Sequence, residues 1–267
     1  MGQKLGQNFL KNASKIGEIV KNLNINPGDI LIEIGPGHGA LTLPILEAIK
    51  SLKDTKLIAI EKDPVLADSL KEKIGNNPKF SLITDDIRKI LPNLTQDHQL
   101  MAGEYKIVGN IPYYLTGFLL RQLEEIVLKP QIIVLTIQKE VAERIIAQPP
   151  KMNLLAASVQ FWSEPKIISF ISRKEFQPAP KVDSAIIELK PKLENFPEKS
   201  ITYYQTIKKI FRQPRKTIKN NIRDGYKNIE NGVFEKIEKT GIKTGDRPQN
   251  LSLKQLKEIS GMLYNYK

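Results

Sequence analysis

Between residues 30 and 190 the chain alternates short apolar runs with longer stretches in which apolar residues recur at helical spacing. The short runs at 31–34, 57–60, 80–83, 106–108, 132–137, 166–170 and 184–189 are rich in β-branched residues and predict strands. Between the early ones, 41–49 sets Leu43, Leu46 and Ile49 on one face, and 64–74 opens with Pro64, a residue suited to a first helical turn. Strand-helix-strand repetition implies a mostly parallel sheet covered on both faces, a doubly wound α/β fold. No clear helix separates 166–170 from 184–189, which allows an antiparallel pair at one edge.

Pro191, Asn195 and Pro197 then interrupt the pattern. The remainder of the chain is helical near 201–211, 217–225, 233–240 and 253–263, with no β-rich run. The chain therefore divides into a sheet domain over 1–190 and a small all-helical domain over 191–267. A length of 267 residues suits one large domain with an appendage.

Charge changes this picture by giving the helical part a partner. The net charge is +12, and its distribution is uneven: residues 1–190 hold 24 Lys and Arg against 21 Asp and Glu, whereas 191–267 hold 17 against 8. A basic helical domain is drawn to polyanions such as RNA. Arg212, Lys216, Lys219 and Arg223 would form a phosphate-tracking stripe if a helix starts near Pro214, although a solvated helix face has the same composition. The chain has no cysteine, and His38 and His98 are too few and too scattered for a metal cluster, so no metal is expected. No apolar run approaches the ~20 residues that cross a bilayer. No signal peptide is recognisable, and Gly6 stands where a myristoylation signal wants Ser or Thr. A cytoplasmic location without a membrane anchor is the expectation.

The candidate chemistry lies at the ends of the predicted strands. The first runs into Glu33-Ile34-Gly35-Pro36-Gly37-His38-Gly39-Ala40 and a helix comes at once, which lets backbone approach a ligand closely. The second ends in Glu61, placed to accept hydrogen bonds from both hydroxyls of an unphosphorylated ribose. The third ends in Asp85-Asp86; one carboxylate can accept from an adenine amine, and one is expected to cap the segment beginning at Ile87. Gly35, Gly37, Ala40 and Glu61 suit a nicotinamide dinucleotide equally well, so these positions leave the cofactor open.

The fourth strand ends in Val108-Gly109-Asn110-Ile111-Pro112-Tyr113-Tyr114. The lone pair of an adenine amine is delocalised into the ring, which makes it a poor nucleophile. An Asn oxygen and an adjacent backbone carbonyl, held by the next residue, Pro, can accept both amine hydrogens and align the nitrogen, while Tyr113 stacks on the base. Against a cationic sulfonium no strong general base is needed, and positioning would supply most of the acceleration. A dehydrogenase has no evident use for this motif.

With these motifs in this order, the sequence resembles the bacterial KsgA-type 16S rRNA adenine N6,N6-dimethyltransferases from Gly6 almost to its end. Gly6-Gln7-Asn8-Phe9-Leu10 is similar to that family's opening motif, 176–184 (Phe-Gln-Pro-Ala-Pro-Lys-Val-Asp-Ser) to its late motif, and 247–252 (Arg-Pro-Gln-Asn-Leu-Ser) to its C-domain signature. The resemblance implies a Rossmann-like class I methyltransferase fold with S-adenosyl-L-methionine as cofactor. Asn8, Leu10, Gly35, Glu61, Asp86 and Asn110 would bind that cofactor, while Asn110, Tyr113 and Phe176 would hold the target base. It further implies dimethylation of two adjacent adenosines near the 3′ end of 16S rRNA, in an immature small ribosomal subunit, by a monomer. Pro214 stands where another basic residue is usual, and Ala179 where Pro is common. An Erm-type 23S rRNA adenine methyltransferase is the nearest alternative, against which 247–252 argues. A non-catalytic RNA-binding assembly factor is a rival of another class, against which the intact Asn8, Glu61 and Asn110 argue.

Overall fold

The computed structural model describes residues 7–94, 100, 103–192, 197–227 and 229–266; Gly6, His98 and Asn195 lie outside them. The described residues fall into two compact units. Residues 143–163 belong with the stretch after 193, not with the sheet, so the second unit is discontinuous and larger than the expected 191–267.

The first unit is built on seven strands: β2 (Ile30–Ile34), β3 (Lys56–Glu61), β4 (Phe80–Thr84), β5 (Tyr105–Asn110), β6 (Ile132–Gln138), β7 (Ser163–Ile171) and β9 (Ser184–Pro191). All seven expected strands form, in the order β4-β3-β2-β5-β6-β9-β7. β2 runs parallel to β3 and β5, β3 to β4, and β5 to β6, whereas β9 is antiparallel to β6. The strand order reverses between β2 and β5, which opens a crevice beyond their carboxyl ends where ligands bind in doubly wound sheets. Leu31, Ile32, Leu57, Ile107, Val108, Ile133 and Val134 are all buried, as strands covered on both faces require.

Helices α1 (Ala13–Asn22), α2 (Thr42–Ile49), α3 (Pro64–Ile74), α4 (Ile87–Ile90) and α5 (Thr116–Glu125) belong to this unit. α1 is not among the predicted helices, yet Ile16, Ile19, Val20 and Leu23 have helical spacing, and Ile19 and Leu23 join the core with Ile45, Ile49, Leu57 and Ile186. Its N-cap, Asn12, accepts from the Lys15 amide at 3.1 Å and donates to Glu175 at 2.9 Å. That tie supports a second small sheet, β1 (Phe9–Leu10) antiparallel to β8 (Phe176–Gln177), with Leu10 opposite Phe176.

After α6 (Lys139–Ile145), the second unit contains α7 (Leu154–Trp162), α8 (Pro197–Ile210), α9 (Ile218–Gly225), α10 (Asn231–Lys239) and α11 (Leu253–Met262). Ala156, Ala157, Tyr203, Ile207, Ile222, Phe234, Ile237, Leu256 and Ile259 form its core. α9 starts at Ile218 with Thr217 as N-cap, not near Pro214, so Arg212 and Lys216 precede the helix and the four-residue stripe does not form. Lys219 and Arg223 do share a face, each 5.4 Å from the centre of the Phe234 ring, and Lys216 is paired with Asp224 at 2.9 Å.

Candidate active site

A cleft with about 1030 Å³ of empty space, open mouth included, lies beyond the carboxyl ends of β2, β3 and β5. Every expected site residue lines it: Asn8, Leu10, Gly35, Glu61, Asp86, Asn110, Tyr113 and Phe176.

The floor is the turn after β2. Gly35 has φ +67°, and a Cβ built there would meet nothing within 4 Å, so the backbone faces open space. Glu61, 3% exposed at the end of β3, holds this turn: its carboxylate accepts from the Gly37 amide at 3.0 Å and from the Asp63 amide at 2.9 Å. Each carboxylate oxygen has a second acceptor site, so Glu61 can braid the loop and still receive a ligand hydroxyl.

Asp86 does three things at once. It caps α4 through the Arg88 amide at 3.0 Å and pairs with the Arg88 guanidinium at 2.6 Å and with Lys62 at 3.0 Å. The Arg88 side chain, more than Lys62, holds the Asp86 carboxyl well below the usual carboxylate range. Asp86 is thus a fixed anion whose acceptor sites are shared among protein donors, and Asp85, paired with Lys89, stands outside the cleft lining.

The base-holding candidates are equally constrained. Asn110 Nδ2 donates to the Asn8 carbonyl at 2.8 Å, which commits the amide nitrogen and leaves Oδ1 as an acceptor. The Tyr113 hydroxyl lies 2.8 Å from that of Ser184, and burial raises its pKa, so the phenol stays neutral. Phe176 is brought to the cleft by β8 and is paired in register with Leu10. An amide acceptor and two aromatic side chains lining one cleft with a ribose-suited carboxylate are the groups needed to orient a purine amine.

The family profile for ribosomal RNA adenine dimethylase matches residues 2–264. The chain belongs to this family. Curated relatives of this dimethylase include the ribosomal RNA small subunit methyltransferase A of Dehalococcoides mccartyi strain CBDB1, 35% identical over 96% of this chain and 86% of that one. That of Chlorobaculum parvum is 38% identical over 85% and 80%. Among solved structures, a dimethyladenosine transferase from Plasmodium falciparum superposes with TM-score 0.76 at 24% identity, covering 96% of this dimethylase and 97% of that chain. The 23S rRNA methyltransferase ErmE superposes with TM-score 0.73 at 22% identity, covering 97% and 100%. The fold is accordingly that of the rRNA methyltransferases, and the chain is an rRNA adenine dimethyltransferase.

Several residues of this dimethylase's cleft carry no signal in the sequence. Lys62 and Arg88 are ordinary basic residues there; Arg88 reaches Asp86 from two residues on, and the meeting of two strand ends brings Lys62 to the same carboxylate. Outside the cleft lining, Ser184 closes the 176–184 motif, but its hold on Tyr113 joins positions 71 apart and shows only in the fold. Gly109 does carry one, as a glycine inside a strand run: a Cβ there would lie 2.8 Å from the Ile34 carbonyl oxygen, so only glycine lets β5 approach β2 directly before Asn110.

Proposed function

We propose that this dimethylase takes its methyl groups from S-adenosylmethionine and places two on the N6 amine of each of two adjacent adenosines near the 3′ end of 16S rRNA. Its substrate would be an immature small ribosomal subunit, and it would act as a cytoplasmic monomer. The residues present fit the cofactor. Glu61 and Gly35 suit a ribose against an open backbone turn, and Asp86 offers a carboxylate near the adenine end.

S-adenosylmethionine supplies an electrophilic methyl group on a positively charged sulfur. The chain's own residues then need only hold and align the base. Asn110 Oδ1 and the backbone carbonyl beside it accept the two amine hydrogens, which fixes the nitrogen lone pair toward the methyl carbon. Tyr113 and Phe176 sandwich the unstacked adenine and offset the few kcal/mol that its extrusion costs. Once methylated, the amine loses its proton readily to solvent, so no side chain has to act as a strong base.

The observation that supports this reading is the Asn110 amide, whose nitrogen is committed to the Asn8 carbonyl, which leaves its oxygen as an acceptor. Asn110→Ala is expected to lower methyl transfer by about two orders of magnitude, the scale of a lost positioning contact. Full methylation by that variant would contradict the assignment.

A further inference from the structure

Glu33 lies near the end of β2, directly beneath the glycine turn, and lines the cleft. It is 1% exposed, and among the described residues its Oε2 has no hydrogen-bond partner. The groups around it offer no positive charge. β3 presents a second buried acid, Glu61, and α2 presents Thr42, while the cleft lining adds the uncharged Asn8, Phe9 and Asn110. The cations along the cleft, Lys62 and Arg88, are held by Asp86. Burial pushes the Glu33 carboxyl up to about 8, the charge of Glu61 adding to the rise and Thr42 offsetting part of it.

A carboxyl without a cationic partner in such a place has two ways to avoid an uncompensated buried charge: keep its proton, or face a cation. The methyl donor and the thioether left after transfer differ by one methyl group and one positive charge on sulfur. They share the ribose, the adenine and the amino-acid end. A residue that responds to that charge and to nothing else can therefore tell them apart.

We propose that Glu33 is the specificity residue by which this cleft distinguishes the cationic methyl donor from its uncharged thioether product. The inference rests on the S-adenosylmethionine reading above. In the free protein at neutral pH Glu33 keeps its proton. When the donor binds, the O–H bond of Glu33 breaks, the proton passes to the buffer and the carboxylate faces the sulfonium. With the thioether in the cleft there is no such charge to face, and the carboxyl stays protonated. Loss of the methyl group thus leaves the product in a site that no longer favours it, which promotes exchange for fresh donor.

The test is titration calorimetry of S-adenosylmethionine and S-adenosylhomocysteine binding to the full chain, in two buffers of different ionisation heat, from pH 6 to 8.5. At pH 7 the donor should release close to one proton more than the product does. The product-to-donor ratio of dissociation constants should rise with pH, approaching about tenfold per unit until Glu33 is already ionised in the free protein. In Glu33→Gln the proton difference should vanish and the ratio become flat and at least about tenfold smaller at pH 8. Glu33→Asp, which keeps the charge, should restore both. Equal proton release by the two ligands in the unaltered protein would overturn the proposal, without recourse to any variant. So would an unchanged ratio in Glu33→Gln. If neither ligand binds the unaltered protein, the cofactor reading falls and this inference with it, a result plainly different from binding without discrimination.

Discussion

At the scale of single residues, the site consists of side chains whose freedom has been removed by particular partners. Asn110 is oriented by a backbone carbonyl, Tyr113 by Ser184 and Asp86 by two cations. Gly109 sets the position of Asn110, because a Cβ there would lie 2.8 Å from the Ile34 carbonyl oxygen and 3.3 Å from Ile34 Cβ. Gly109→Ala is therefore expected to cost about 1–3 kcal/mol of stability by overpacking. It should also reduce methyl transfer at least tenfold by displacing Asn110; thermal unfolding and initial rates check the two effects separately. Glu33 makes a different prediction. Its folded pKa of about 8 lies above the ordinary 4.5, so the folded state holds a proton that the unfolded chain gives up between those values. The contribution of the protonated form is complete below pH 4.5 and is lost as pH rises through 8. Glu33→Gln, which cannot ionise, should melt higher than the unaltered chain at pH 8 without ligand, with the gain shrinking toward pH 4.5. A lower melting temperature at pH 8 would count against the buried carboxyl without a cationic partner. Asn110, Tyr113 and Glu61 were legible in the sequence because each sits in a short local motif. The cations that clamp Asp86 were not, because a Lys or an Arg carries no mark of the carboxylate it will meet.

Elements were legible in proportion to their periodicity. The parallel strands β2, β3, β5 and β6 announce themselves as apolar runs because both faces are covered, and all of them form where the pattern places them. β1 and β8 are two residues each and join positions 166 or more apart, which no local pattern can express. α7 reads as nearly uniformly apolar because it is buried within the helical unit, where Phe161 stacks on Tyr203 at 4.0 Å and Tyr203 donates to the Ala157 carbonyl at 2.9 Å. Its allegiance is a matter of tertiary packing, and so the domain boundary drawn from sequence missed it. α1 and the β1–β8 clip matter most for the site, because they carry Asn8, Leu10 and Phe176 to the cleft. Asn12 joins both, capping α1 and bonding Glu175. Asn12→Ala should cost about 1 kcal/mol from the lost cap alone, measurable by denaturant unfolding. Beyond that stability loss it should weaken donor binding, because the segment over the glycine turn keeps the Lys11 amide bond to the Glu175 carbonyl but loses its side-chain bond to Glu175; unchanged affinity would show that the clip holds without it.

At the scale of the whole molecule, charge is segregated: the residues after 190 carry most of the excess of +12. RNA affinity should therefore fall steeply with salt, with a log-log slope set by the number of phosphates neutralised. Lys219 and Arg223 share a face of α9, so replacing both with Gln should reduce the magnitude of that slope by about 1–2. Lys216 is already paired with Asp224, so Lys216→Gln should change the slope less. Filter binding from about 50 to 300 mM salt measures the unaltered chain and both variants. The central claim concerns which base receives the methyl groups, and the most direct measurement is transfer from labelled S-adenosylmethionine to unmethylated small and large ribosomal subunits, with digestion and mass analysis of the labelled nucleotides. N6,N6-dimethyladenosine at two adjacent positions near the 3′ end of the small-subunit rRNA is the predicted result. Label confined to large-subunit rRNA, or on any atom other than the adenine amine, would contradict it.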